Sequence, residues 1–211
     1  MFVGHTALAL ASKARVPEAP LALLITAVFA LDLLWPVFLL LGIERVRIEP
    51  GNTAFTPLAF EAYPWSHSLL LACVWGALLA LVSLRHRLLV GALVVSHWVL
   101  DLVTHRPDLP LWPGRSPLLG LGLWNSVAAP LLVEGLLFGA AIFLYLRASR
   151  ARDRIGAFAL WSLLLFQAMI WLSGPWSPPP PSARAIAWVG LAGVLFVPWA
   201  AWIDRHRSAR A

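Results

Sequence analysis

Six nearly unbroken apolar stretches, each close to the length of a bilayer's hydrocarbon core, decide what this chain can fold into. A spanning helix needs about 20 such residues, and residues 20–42, 66–84, 88–104, 125–146, 156–173 and 185–203 meet or approach that length. Inside a membrane every backbone amide must find an internal partner, so only helices and closed barrels serve. The runs are continuous and do not alternate with period two, which selects helices. The expectation is an all-α, polytopic membrane helical bundle of about six transmembrane helices. Of 211 residues, 60% are hydrophobic and 12% charged, against about 45–50% and about 25% in soluble domains. That balance excludes a water-soluble globule, a disordered tail and a nucleic-acid-binding domain. The runs use nearly the whole chain, so residues 1–211 read as a single transmembrane domain.

The formal charge of +6 then speaks of topology and anionic lipid, because basic residues concentrate in short cytoplasmic loops. Eleven of the 16 lie on one side: Lys13, Arg15, Arg85, Arg87, Arg147, Arg150, Arg152, Arg154, Arg205, Arg207 and Arg210. Arg45, Arg47, Arg106, Arg115 and Arg184 lie on the other. This predicts a multi-pass membrane protein with both termini cytoplasmic. MFVGHTALALA lacks the positive leading region of a secretory signal and is too short to span. It reads as an uncleaved half-helix, buried by protein, that carries His5 into the bundle. The single Cys73 excludes an internal disulfide framework and any cysteine-based zinc site, so a metal would need His, Asp and Glu. The run 178–181, four prolines, is a stiff outward connector.

Ionisable groups inside spans cost about 2.5–3.5 kcal/mol for a central Asp on insertion scales, and each marks a functional site by default. Asp32 lies in the first run, His97 and Asp101 in the third and Glu134 in the fourth, with His67 and His105 at outward helix ends. His97, Asp101 and His105 are spaced i, i+4, i+8, which places them with Thr104 on one helical stripe, about 6 Å per step. Two ligands one turn apart commonly grip one ion. His105, about 12 Å along the axis from His97, suits a general base, a phosphate contact or a ligand of a second ion. Burying carboxylates makes sense where a cation offsets their charge. The alternatives are a polar network that holds helices together and a proton or ion pathway.

At the start of the second run Ser66, His67 and Ser68 follow Tyr63, Pro64 and Trp65. A helix N-terminus there would favour an anion such as phosphate, with Ser66, Arg106 and Arg115 as candidate substrate contacts. GLGLWNS, residues 120–126, reads as a flexible turn with Asn125 or Ser126 capping the fourth helix. The 12 tryptophans are mostly accounted for by interfacial aromatic belts.

GHTALAL with His5, LDLLWP with Asp32, WSHS with His67 and SHWVLDLVTH with His97, Asp101 and His105 together resemble the membrane-bound metal-dependent hydrolases of the bacterial inner membrane. That family shows an N-terminal His, a Pro-Asp-x-Asp element, an Arg-x-x-His-Ser element and a Ser-His-x-x-x-Asp-x-x-Thr element. The resemblance covers roughly residues 1–110. Here Leu31 precedes Asp32, Leu34 stands at the second acidic position and Trp65 precedes the Ser-His pair. One missing carboxylate favours a single ion. The second half, from RPDLPLWPG through GLGLWNS, looks like a subgroup of membrane proteins loosely described as permeases.

The expected site holds one divalent metal ion on Asp32, His67, His97 and Asp101, with His5 as a further ligand and His105 and Glu134 as proton-transfer residues. Zinc, manganese and magnesium are not distinguished. The expected reaction is hydrolysis of an ester or phosphoester in a small amphiphilic or phosphorylated, lipid-like substrate in the outer half of the membrane, with membrane lipid as the partner. The alternative is a transporter or permease that uses the same column for protons or cations. A transporter often shows inverted repeats, and no repeat is evident.

Overall fold

The computed structural model describes residues 1–210 and is helical almost throughout. Helix α1 (Val3–Arg15) is followed by α2 (Leu21–Val28), α3 (Ala30–Leu40) and a hairpin of β1 (Arg45–Ile48) and β2 (Leu58–Ala62). The short α4 (Pro64–His67) leads into α5 (Leu69–Ala80) and α6 (Arg87–Thr104). A two-residue pairing of β3 (Leu109–Pro110) with β4 (Leu118–Leu119) precedes α7 (Ala128–Ala148), α8 (Arg154–Ser173), α9 (Ala183–Ala192) and α10 (Phe196–His206). Finally β5 (Ser149–Ala151) pairs with β6 (Arg207–Ala209). The strands are short accessories, and the architecture is all-α.

Four helical stretches are long and apolar enough to cross a membrane: Leu84–Thr104, Ala128–Ala148, Arg154–Trp176 and Ala183–His206. Two of the expected continuous spans are broken instead. Between α2 and α3 the axis bends by 53° at Phe29, whose φ of −103° and ψ of 6° interrupt the helix. In the run 66–84, Ser68 adopts an extended conformation and its hydroxyl caps α5, leaving that helix only 12 residues long. Broken helices are tolerated at membrane depth only where protein satisfies the freed backbone groups. Large exposed apolar side chains line α5 to α9, among them Leu70, Leu88, Leu136, Phe158, Leu165 and Val189. On a soluble protein such patches would drive aggregation; here they lie on helices apolar enough for a membrane setting, with which they are consistent.

Helix α1 lies inside this assembly. Val3, His5, Thr6, Ala7, Ala9 and Leu10 are buried, and the helix packs chiefly against α7 and α2. At its basic end Lys13 pairs with Asp204 at 3.0 Å, and other charged segments pair with one another, Glu18 with Arg85 at 3.9 Å and His206 with Asp153 at 2.7 Å. The β5–β6 pairing brings Arg150 opposite Ser208. The basic residues assigned to one side by loop counting therefore gather at one end. The opposite end of α1 is buried. The Met1 amino group lies against Asp101, so α1 begins in the interior and only its far end emerges.

Candidate metal centre

Backbone breaks and caps aim the polar side chains. The α2–α3 break frees the carbonyl of Val28, which accepts a hydrogen bond from His97 Nδ1 at 2.7 Å. With Nδ1 committed, the network assigns His97 its Nε2 lone pair as the free ligand position. Asp32 follows in the first turn of α3. His67 closes α4, and its Nδ1 lies 2.7 Å from Ser66 Oγ, which in turn donates to Glu44 Oε2 at 2.7 Å. Glu44 Oε1 accepts the backbone N–H groups of Trp65 and Ser66, both at 2.8 Å. This Glu44–Ser66–His67 chain fixes the second imidazole with its Nε2 free as well.

The free atoms converge. His97 Nε2 lies 3.1 Å from Asp101 Oδ2 and 3.7 Å from Asp32 Oδ1, and His67 Nε2 lies 3.7 Å from Asp32 Oδ1 and 3.8 Å from Asp101 Oδ2. His5 Nε2 lies 3.3 Å from Asp101 Oδ1. Donor atoms held about 2.1 Å from a common tetrahedral centre are about 3.4 Å apart, so these separations suit ligands around an ion. His5, His97 and Asp101 form one possible triad, Asp32, His67 and His97 another, each with donor atoms within 4.8 Å of one another. Among the described residues, His5 Nε2 and His97 Nε2 are buried with no hydrogen-bond partner. Such orphaned nitrogens are costly unless something binds them. The chemistry fits: neutral imidazole and carboxylate are the donor set for zinc and manganese, and two carboxylates beside three imidazoles attract a cation. The Met1 amino group is already drawn to Asp101.

One feature departs from simple convergence. The His5 ring stacks on His97 with centroids 3.7 Å apart and planes within 3°. Each nitrogen lone pair lies in its own ring plane and two parallel planes do not meet, so coordination of a shared ion by both requires His5 to tilt off the stack. The donor atoms of Asp32, His67 and His97 form one close triad, and Asp101 Oδ2 approaches His97 and His67 at 3.1 and 3.8 Å.

A cavity of about 330 Å³ opens beside this group, bordered by Asp32, His67, Asp101, His105 and Glu134. His105, the C-cap of α6, stands apart from both triads. Its Nδ1 lies 2.9 Å from Asp108 Oδ1, which also accepts from the Tyr63 hydroxyl at 2.8 Å. Burial and the Asp108 carboxylate push the Tyr63 phenol well above its ordinary pKa, so it stays protonated as a donor. Phe60 and Trp124 pack on the imidazole with centroids 4.8 and 4.5 Å away. Asp108 thereby orients His105 with Nε2 as its remaining nitrogen. Glu134 Oε2 accepts the N–H groups of Phe2 and Gly4 at 2.9 and 3.3 Å, anchoring the start of α1, while Oε1 is buried without a partner.

Several expected substrate contacts lie elsewhere. Ser66 is fully buried and bridges Glu44 to His67 instead of facing the cavity. The α4 N–H groups expected to hold an anion are taken by the protein's own Glu44 carboxylate. Burial raises the Glu44 pKa, and the hydrogen bonds from Ser66 and Trp65 oppose that rise. Arg106 is half-buried, with Nε 3.6 Å from Asp108 Oδ2, and Arg115 is exposed beside Trp112; neither borders the cavity. The glycine segment is docked, not flexible: Leu121 N donates to Leu102 O at 2.8 Å and Gly122 N to His105 O at 2.7 Å, satisfying carbonyls at the end of α6. Ser126, one of the two expected caps, accepts from Ala129 N at 3.2 Å.

Glu44, Asp108 and Tyr63 are the residues that sequence reasoning did not assign to the site. Glu44 is separated from His67 by a hairpin, and the only available signal was an acidic residue in an otherwise apolar turn. Comparison with protein-family models, with curated proteins and with solved structures finds no significant match.

Proposed function

We propose that this chain is a membrane hydrolase that holds one divalent metal ion on Asp32, His67, His97 and Asp101, with His5 as a fifth ligand after tilting, and cleaves an ester or phosphoester of an amphiphilic substrate. The observation that carries the reading is the meeting of buried, oriented imidazole Nε2 atoms with two carboxylates at the wall of a cavity that also holds an Asp108-oriented histidine. This is also what the resemblance to membrane-bound metal-dependent hydrolases of the bacterial inner membrane leads one to expect. His97 has a single free nitrogen, so the two triads do not each hold a separate ion through it, which supports one ion. When bound, that ion polarises a substrate oxygen and lowers the pKa of a water.

The chain's own residues supply the rest. His105 Nε2 accepts the proton of the attacking water and returns it to the leaving oxygen, while Asp108 stabilises the imidazolium that forms between the two steps. Glu134 holds the start of α1, and with it His5, against the cavity. The bundle is read as six crossings, counting the bent α2–α3 pair and the short α4–α5 segment, in a bacterial inner membrane with the basic end cytoplasmic and the cavity in the outer half.

A transporter would need the polar path to continue to the basic end. One to three turns beyond the site along α1, α2 and α6, the buried residues are Leu10, Leu24, Val90 and Val94, which favours the hydrolase. The test is hydrolysis of short-chain ester and phosphoester amphiphiles by the reconstituted, metal-loaded protein. Metal-dependent turnover that falls at least about a hundredfold in His105→Gln is expected. Absence of turnover on both bond types with zinc, manganese and magnesium overturns the reading.

A further inference from the structure

A second cavity, of about 370 Å³, lies along α3, α8 and the α9–α10 junction. Its walls are almost wholly apolar, with Leu33, Phe166, Ile186, Val189 and Phe196 among them, and Asp32 is its one ionisable lining residue. It shares Phe2, Asp32, Trp35, Leu58 and Ile170 with the cavity beside the candidate metal centre. The two spaces therefore meet at Asp32. That carboxylate is the one open member of its group, with 39% of its side chain exposed against 6% or less for His67, His97 and Asp101. On its other side the groove is bordered by the exposed side chains of Ile170, Val189 and Leu195, which places its mouth on the bilayer.

An apolar trough that ends at a carboxylate and opens sideways to lipid has a matching ligand: one long alkyl chain with a polar ester at its end. We propose that this groove seats the single acyl chain of the substrate, admitted laterally from the bilayer between α8 and α9, and so places the scissile bond at Asp32. The inference rests on the hydrolase reading and adds the substrate class, a monoacyl lipid. Its size, near the lower end of the roughly 300–1,000 Å³ typical of ligand pockets, matches one chain better than two. Transfer of a chain from bilayer to groove gains little hydrophobic energy, since lipid tails are as apolar as the walls. The groove therefore confers position and chain-length selectivity more than affinity.

Gly193 offers a way to block it. A Cβ there would meet only Leu33 Cδ2, at 3.9 Å, and its φ of −57° suits any residue. The experiment reconstitutes the metal-loaded full chain in nanodiscs with a lysophosphatidylcholine bearing a diazirine at the chain terminus, then maps the crosslinks by mass spectrometry. Labelling concentrated on Leu33, Ile186 and Val189 is expected. It should fall about tenfold in Gly193→Leu, as should the ratio of kcat/KM for long-chain over short-chain esters. Ile186→Trp provides a second block should Gly193→Leu not accumulate. Equal labelling of the exposed Leu132 and Leu136 on α7, the outcome for bulk bilayer lipid only, overturns the proposal. Crosslinking needs no turnover, so groove labelling without hydrolysis removes the hydrolase reading alone, and hydrolysis without groove labelling removes the acyl groove alone.

Discussion

Glu44→Gln isolates what the buried relay behind His67 does. The carboxylate caps two backbone N–H groups through Oε1 and accepts the Ser66 hydroxyl through Oε2. A glutamine keeps a carbonyl oxygen for the two N–H groups but puts an NH2 where Oε2 was. That NH2 donates to Ser66 Oγ, so the hydroxyl turns and donates to His67 Nδ1. The imidazole proton is then displaced to Nε2, the nitrogen that faces Asp32 and Asp101, and a protonated nitrogen cannot ligate. Partners behind a metal ligand are commonly worth 10–100-fold in affinity, or about 1.4–2.7 kcal/mol at the tenfold constant. Global stability should change less, because two opposing terms nearly offset. Weakened charge-assisted hydrogen bonds cost about 1 kcal/mol, while removal of a buried charge, the cause of Glu44's raised pKa, relieves a similar penalty. Chelator competition against the detergent-solubilised protein measures the affinity, and 15N spectra of the histidine rings report the tautomer. Ser66→Ala should weaken binding similarly, and the double variant should show non-additivity, since both act on one nitrogen. Unchanged metal affinity in Glu44→Gln, with Nδ1 of His67 still protonated, refutes the relay.

Other outcomes follow from the same geometry. Asp108→Asn should lower turnover about 10²–10⁴-fold through loss of His105 orientation while metal content stays at the wild-type level; parallel loss of metal would contradict the separation of the two histidine roles. Gly120→Ala drives a Cβ into the Arg106 carbonyl group, and thermal unfolding in detergent should show a loss of about 1–3 kcal/mol, whereas an unchanged transition would contradict the docked loop. Asp153 is held below its ordinary pKa by the His206 side chain and the Gly156 N–H. A depressed carboxylate contributes stability above its unfolded pKa and loses it as pH falls through the folded value. The melting difference between wild type and Asp153→Asn should therefore shrink below the usual carboxylate range, and a difference that grows on acidification would contradict the pairing.

Continuous apolar runs made the helical membrane class legible, and the i, i+4 spacing of His97 and Asp101 made their shared face legible, because both depend on local periodicity. That Asp32, His67 and His5 reach the same place was inferred from the cost of burying them, and the structure brings them together. The helix breaks were not legible. Phe29 has no Pro or Gly signature, and its interruption is sustained by a tertiary contact, the Val28 carbonyl on His97. In the sequence alone Ser66 reads as a substrate contact, because its neighbours have the pattern of an open helix N-terminus. Glu44 fills that terminus from 22 residues away, and nothing local announces it. The hairpin carried a weak signal in the alternation of exposed Arg45 and Arg47 with buried Val46, masked by its proline- and glycine-containing turn.

Metal stoichiometry tests the central claim most directly. Elemental analysis of purified protein, paired with X-ray absorption at the metal edge, should find one divalent ion per chain with imidazole nitrogen and carboxylate oxygen at about 2.0–2.2 Å, and no ion in the His97→Ala, Asp101→Ala double variant. An ion retained in that variant, or a wild-type protein that stays metal-free after loading with zinc or manganese, would contradict the account.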